Sequence, residues 1–220
     1  MSTTTHSTSL KETALREEIC RVGASLFQRN YTVGSSGNIS ARLEDGWLIT
    51  PTDACLGLLD PARIAKVDAS GKWISGDKPS KTLTLHRAVY DNNSSAQSVL
   101  HMHSTNLVAL TLAGVWSKDD VLPPITPYQV MKVGHIPLIP YCLPGHASVA
   151  EQVSLLANSV RGVLLERLGP VVWHQSIAQA AYVLEELEET ARLWMMLQDK
   201  PAALSVAEIE ALCKTFGVRW

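Results

Sequence analysis

The sequence predicts an α/β fold in which one largely antiparallel sheet carries helices on its faces. Three observations point to it. Amphipathic helical patterns occupy residues 11–30 and 176–198 near the two ends of the chain. Short apolar runs of strand length fill much of the middle. Several successive runs are joined by turns too short for a crossover helix, which favours antiparallel pairing.

Composition narrows the choice further. A chain of 220 residues suits one domain with a sizeable core, and 46% of it is apolar. The formal net charge of −2 gives no footprint for nucleic acid or an acidic membrane surface. No apolar run reaches bilayer length. Residues 1–9 are rich in Ser and Thr, lack a basic start and an apolar core, and read as a disordered tail ahead of a domain over 10–220. Cys20, Cys55, Cys142 and Cys213 are scattered without a CxxC, as expected of reduced thiols in the cytoplasm.

Taken in order, the first helix is supported by Leu15, Ile19, Val22 and Leu26 at helical spacing. A loop of small polar residues (33–38) leads into a strand over 39–43. Asp45-Gly46 then turns the chain into a returning strand over 47–50. A second polar loop follows at 50–53, a helical turn at 59–63, and strands at 64–68 and 72–75. The third polar loop, 76–82, precedes a helix over 83–92, in which His86 reads as a helix-face or core histidine. Residues 116–124 read as a surface loop. The prolines in 125–128 and 136–140 confine those segments to edges or loops. A helix over 149–158, apolar runs at 162–165 and 170–173, the long helix over 176–198 and a last helix over 206–216 complete the chain.

The chemistry centres on Ser98-Val99-Leu100-His101-Met102-His103-Ser104-Thr105. Residues i and i+2 of a strand share a face, so His101 and His103 project together with Met102 turned away. Two imidazoles at a strand end suit a zinc-type cation. An isolated pair of this kind is as readily two core or solvated histidines. Ser104 and Thr105 offer a cap for a helix over 106–113. The glycines and hydroxyls of the three polar loops can bring backbone N–H groups close to a phosphate or carboxylate, although plain turn chemistry explains each loop alone.

Six motifs together resemble the class II aldolase/adducin family: GSSGNIS (34–40), ITPT (49–52), GDKPSK (76–81), LHMHS (100–104), TPY (126–128) and LGPVV (168–172). The lysine after the serine in GDKPSK is most similar to the family's 3-oxo-tetronate 4-phosphate decarboxylase branch. The resemblance implies an α/β/α layered domain and a homotetramer with active sites between subunits. It also implies a divalent metal, zinc or alternatively manganese or iron, held by His101 and His103. The substrate would be a small anionic sugar acid, its phosphate held by Ser36, Gly37, Asn38, Thr52, Asp53, Ser80 and Lys81. Thr82, Lys81 and Tyr128 occupy the positions implied for catalysis. The expected activity is that of a carbon–carbon lyase working through an enediolate.

Two positions depart from the pattern. The family usually carries a glutamate where this chain has Thr82, and a third metal-binding histidine where it has Leu168. A threonine is no carboxylate base, and a leucine binds no metal. The departures leave three expectations: a metal held by His101 and His103 with water and substrate oxygens, a site rebuilt for an altered activity such as an aldolase or epimerase on an unphosphorylated substrate, or a non-catalytic binding or assembly subunit. A replacement histidine is hard to find: His174 would lie about 20 Å along the strand from Leu168, His135 and His146 fall in loops, and Glu166 alone shares the strand face of Leu168.

Overall fold

The computed structural model describes the backbone of residues 3–220 and the side chains of residues 10–220. The tail expected over 1–9 falls on residues whose side chains lie outside this range, and the first helix, α1, runs Thr3–Gln28. There follow strands β1 (Asn38–Arg42), β2 (Gly46–Ile49), β3 (Ala65–Asp68) and β4 (Trp73–Ser75), then α2 (Leu83–Asn92), β5 (Ser98–His101) and α3 (Thr105–Ala113). The C-terminal half contains β6 (Leu138–Ile139), α4 (Ala147–Leu156), β7 (Gly162–Leu165), β8 (Gly169–His174), α5 (Ile177–Met196) and α6 (Val206–Phe216). Among the described residues no helix is long and apolar enough to cross a membrane.

The eight strands form one sheet in the order β4-β3-β2-β1-β5-β8-β7-β6. Every pairing is antiparallel except β6 with β7 at the edge. Short turns close the β1-β2, β3-β4 and β7-β8 pairs, and the expected largely antiparallel sheet is the observed one. The histidine strand β5 sits in the middle, between β1 and β8.

Strand alternation divides the core between two faces. Leu100 and Met102 join Ile39, Ala41 and Val172 beneath α1, α3 and α5, whose Ile19, Leu107 and Leu184 pack there. Val99, Val171 and Trp173 face the other way, against Leu85, Val89 and Tyr90 of α2 and Val153 of α4. Of the inward positions read for the long helix, Ala180, Leu184, Leu187 and Ala191 are all buried.

The local differences have identifiable causes. Residues 116–124 do not lie wholly on the surface. Val121 and Leu122 are fully buried, and the Asp120 carboxylate accepts from Ile136 N–H and pairs with His135. Charges and prolines in that stretch masked a two-residue anchor. Ser104 occupies the N-cap of α3, but its hydroxyl donates to the Tyr31 carbonyl instead. Glu188, reaching over from α5, accepts from the N–H groups of Asn106 and Leu107 and caps the helix in its place. The segment Gln129–Val133 winds as a π-helix, which no periodicity announced.

Candidate active site

The strand β5 ends at His101, so His103 lies just beyond it, yet the two rings remain neighbours with centroids 5.0 Å apart. Two glycines hold this strand end. Gly37 has φ +85°, and a Cβ there would lie 3.0 Å from Met102 Sδ and 3.1 Å from the His101 carbonyl. Gly169 has φ +119°, and a Cβ there would lie 2.3 Å from the Met102 carbonyl. The loops carrying them close on the histidine pair from opposite sides.

His101 is buried, and its Nδ1 donates to the Pro170 carbonyl at 2.9 Å. A carbonyl can only accept, so the neutral ring carries its proton on Nδ1 and leaves the Nε2 lone pair free. Burial, reinforced by the neighbouring His103, pushes the pKa of His101 down to about 4. Burial also lowers that of His103. Both rings are thus neutral near pH 7, as metal ligation requires.

The three polar loops gather at this same end of the sheet. Asn38 pairs directly with His101 across β1 and β5. Thr50 at the start of the second loop bonds Ile39 twice, giving its N–H to the Ile39 carbonyl and accepting the Ile39 N–H at its hydroxyl. The second and third loops are zipped together: Thr52 N–H donates to the Lys78 carbonyl, Ser80 N–H to the Thr50 carbonyl, and Pro51 pairs with Pro79. In the first loop, the Ser36 hydroxyl donates to the Val33 carbonyl, and Thr32 donates to the Ser36 carbonyl. Ser36, Gly37, Asn38, Thr52, Asp53, Ser80 and Lys81 are therefore brought onto one side of the site. Lys81 is well exposed and stands 3.9 Å from Asp53, a loose surface pair worth little to stability.

The departures are equally clear in three dimensions. The Thr82 hydroxyl lies 2.9 Å from that of Ser80 at the start of α2. Leu168 packs against the Val99 and Val171 side of the core, next to Gly169. Glu166 accepts from Tyr141 N–H, and His146 caps α4 through Ser148. His135 pairs with Asp120 and packs on Trp220, while His174 lies at the far end of β8, opposite Ser98. Among the described residues, no group of three or more His, Cys, Asp or Glu side chains is placed to hold a metal ion. As a donor set, His101 and His103 fit a divalent cation as a pair, with the tautomer of His101 already set. Further coordination positions would fall to water and substrate oxygens.

Tyr128 is 56% exposed. It lines a cleft of about 600 Å³ along α5 with Tyr31, Arg161, His174 and Tyr182, and none of the three loops lines that cleft.

The sequence marks His86 as a helix-face or core histidine but does not show its polar partners. His86 is fully buried, with Nε2 at 2.5 Å from Asn38 Oδ1 and Nδ1 at 2.6 Å from Ser40 Oγ, and Ser40 in turn bonds the Tyr90 hydroxyl at 2.7 Å. Burial, with a smaller push from His101, takes its pKa down to about 3. The signal was present in the spacing. His86 and Tyr90 are four apart on one helix, and Asn38 and Ser40 are two apart on one strand.

With this geometry in view, the comparisons are direct. Residues 17–195 match the family described as class II aldolase and adducin N-terminal domain, and the chain belongs to that family. A 3-oxo-tetronate 4-phosphate decarboxylase from Cupriavidus necator is 68% identical over 95% of this chain and 99% of its own. One from Escherichia coli K12 is 47% identical over 91% of this chain and 96% of its own. A solved structure from Escherichia coli, YgbL, described as an aldolase, epimerase or decarboxylase, superimposes with a TM-score of 0.88 at 46% identity. That match covers 91% of this chain and 98% of the other.

Proposed function

We propose that the chain is a lyase that decarboxylates a phosphorylated 3-oxo sugar acid with the help of a divalent metal. The likeness to the Cupriavidus necator decarboxylase over nearly the whole of both chains carries this reading. The convergence of three polar loops beside the histidine pair supports it. His101 and His103 would hold the cation, most naturally zinc, with manganese or iron as alternatives. When bound, that cation supplies a Lewis acid for the substrate's carbonyl oxygen.

The chain's own residues do the rest. The hydroxyls of Ser36, Thr52 and Ser80, the Gly37 N–H and the Asn38 amide bind the phosphate, and Lys81 and Thr82 line its approach. Loss of CO2 from a 3-oxo acid needs an electron sink beside the carboxylate, and it does not need a base to strip a hydroxyl proton. A threonine at position 82 is compatible with that reaction and unsuited to aldol cleavage. The carbanion is then protonated by the Thr82 hydroxyl, by Lys81 or by water.

Thr82 and Leu168 favour one other reading, a subunit that binds the sugar acid without turning it over. The two readings separate in one assay. Protein loaded with zinc or manganese is offered phosphorylated 3-oxo acids, and CO2 is measured with His101→Ala alongside. Release by the parent that is lost in the variant supports the decarboxylase. Binding of the acids without release supports the non-catalytic subunit.

A further inference from the structure

The chain Tyr90–Ser40–His86–Asn38 is buried and polar, and of its members only Asn38 has a role in the anion site. Its four members come from one face of α2 and one face of β1. His86 is neutral, and a neutral imidazole has one N–H and one lone pair. The Ser40 hydroxyl lies against Nδ1 and the Asn38 carbonyl oxygen against Nε2. Because the amide oxygen can only accept, the proton sits on Nε2. Nδ1 then accepts from Ser40, and Ser40 accepts from the Tyr90 hydroxyl. Every proton in the chain is thereby assigned a direction.

That direction has a consequence at the open end. Asn38 is 6% exposed, its oxygen is held by His86, and among the described residues its amide nitrogen donates to no protein acceptor while keeping solvent contact. An Asn side chain free to flip would offer oxygen or nitrogen to a ligand with similar ease. With His86 in place the oxygen is fixed on the ring, and the two N–H donors are left for a ligand.

We propose that His86 is a positioning residue: it locks the Asn38 amide with its nitrogen toward the site, so that Asn38 can donate only to an anion. This rests on the reading of the three loops as the anion site. His86 touches no substrate. It acts through Asn38, and Tyr90 and Ser40 act through His86.

The test uses the full chain, inorganic phosphate as the probe and the phosphorylated 3-oxo acid as substrate. His86→Leu removes the N–H that holds the amide and should weaken phosphate binding about tenfold, the worth of one hydrogen bond to a charged group. It should raise KM by a similar factor while kcat changes less than about twofold. His86→Gln keeps an N–H donor at that place and should recover most of the affinity. Nitrogen-15 NMR of the folded parent should show His86 protonated at Nε2 and bare at Nδ1. Phosphate binding that is unchanged in a folded His86→Leu protein, or a ring protonated at Nδ1, overturns the proposal. If Asn38→Ala leaves phosphate affinity unchanged as well, the loop reading itself has failed. If Asn38→Ala weakens binding and His86→Leu does not, the loop reading stands and the positioning role alone is lost.

Discussion

On the β1 flank of β5, Asn38 meets His86, which meets Ser40, which meets Tyr90, and the second and third loops are zipped together beside them. On the β8 flank, the Pro170 carbonyl sets the tautomer of His101, but Leu168 presents methyl groups beside Gly169. The first flank is lined with polar groups. The second keeps the scaffold of a metal site and fewer of its donors. The scaffold on that side is still held tightly, since Gly169 remains pressed on the Met102 carbonyl. Backbone geometry and donor chemistry can therefore part company in one site. Substituting a ligand side chain should leave the fold intact, whereas substituting the glycine beside it should not.

The largest expected effect follows from that contrast. Gly169→Ala would place a Cβ 2.3 Å from a backbone oxygen at a φ of +119°. A loss of about 4 kcal/mol or more is expected, read as a collapse of the urea midpoint. Leu168→Ala, one residue away and only partly buried, should cost about 1–2 kcal/mol by the same measurement. Equal effects of the two would contradict the separation of scaffold from donors.

The donors can be restored directly. Thr82→Glu with Leu168→His should raise zinc affinity by about tenfold or more, measured by competition with a chromogenic chelator. An unchanged affinity in the double variant would show that positions 82 and 168 do not face the histidine pair.

A third effect is shared by both flanks. An unfolded histidine takes up its proton near pH 6.5, whereas the folded pKa lies at about 3 for His86 and about 4 for His101. Between those values the unfolded chain binds more protons, so stability is full above about pH 6.5 and is lost as pH falls toward 3 to 4. Urea titrations at pH 7 and pH 4.5 measure this slope, which should be shallower in His86→Gln. The smallest expected effect is that of Tyr90→Phe, which removes the far donor of the polar chain at a cost of about 1 kcal/mol.

Much of this was legible in the sequence because it rests on periodicity and turns. The bounds of α2 coincide with the reading of 83–92, and the hairpin at Asp45-Gly46 and the histidine strand were marked by local residues. The three loops were visible as Gly, Ser and Thr clusters, and their meeting followed from antiparallel pairing around β1. What escaped depended on contacts distant in sequence. The cap of α3 comes from Glu188, more than eighty residues away, and Val121 and Leu122 are buried only because β6 and the core close over a stretch that looks polar. His86 was seen as a core histidine, which it is. Its partners on β1 lie 46 and 48 residues earlier, and only the paired spacings on α2 and β1 hinted at them.

The most direct test is the metal content of untagged protein prepared without chelators, measured by elemental analysis with His101→Ala alongside, each with and without a phosphorylated 3-oxo acid. Metal in the parent that approaches one equivalent with the acid present, and is lost in the variant, is the result expected of a histidine pair completed by substrate oxygens. No metal in either protein after zinc, manganese and iron have been offered would contradict the metal-dependent decarboxylase.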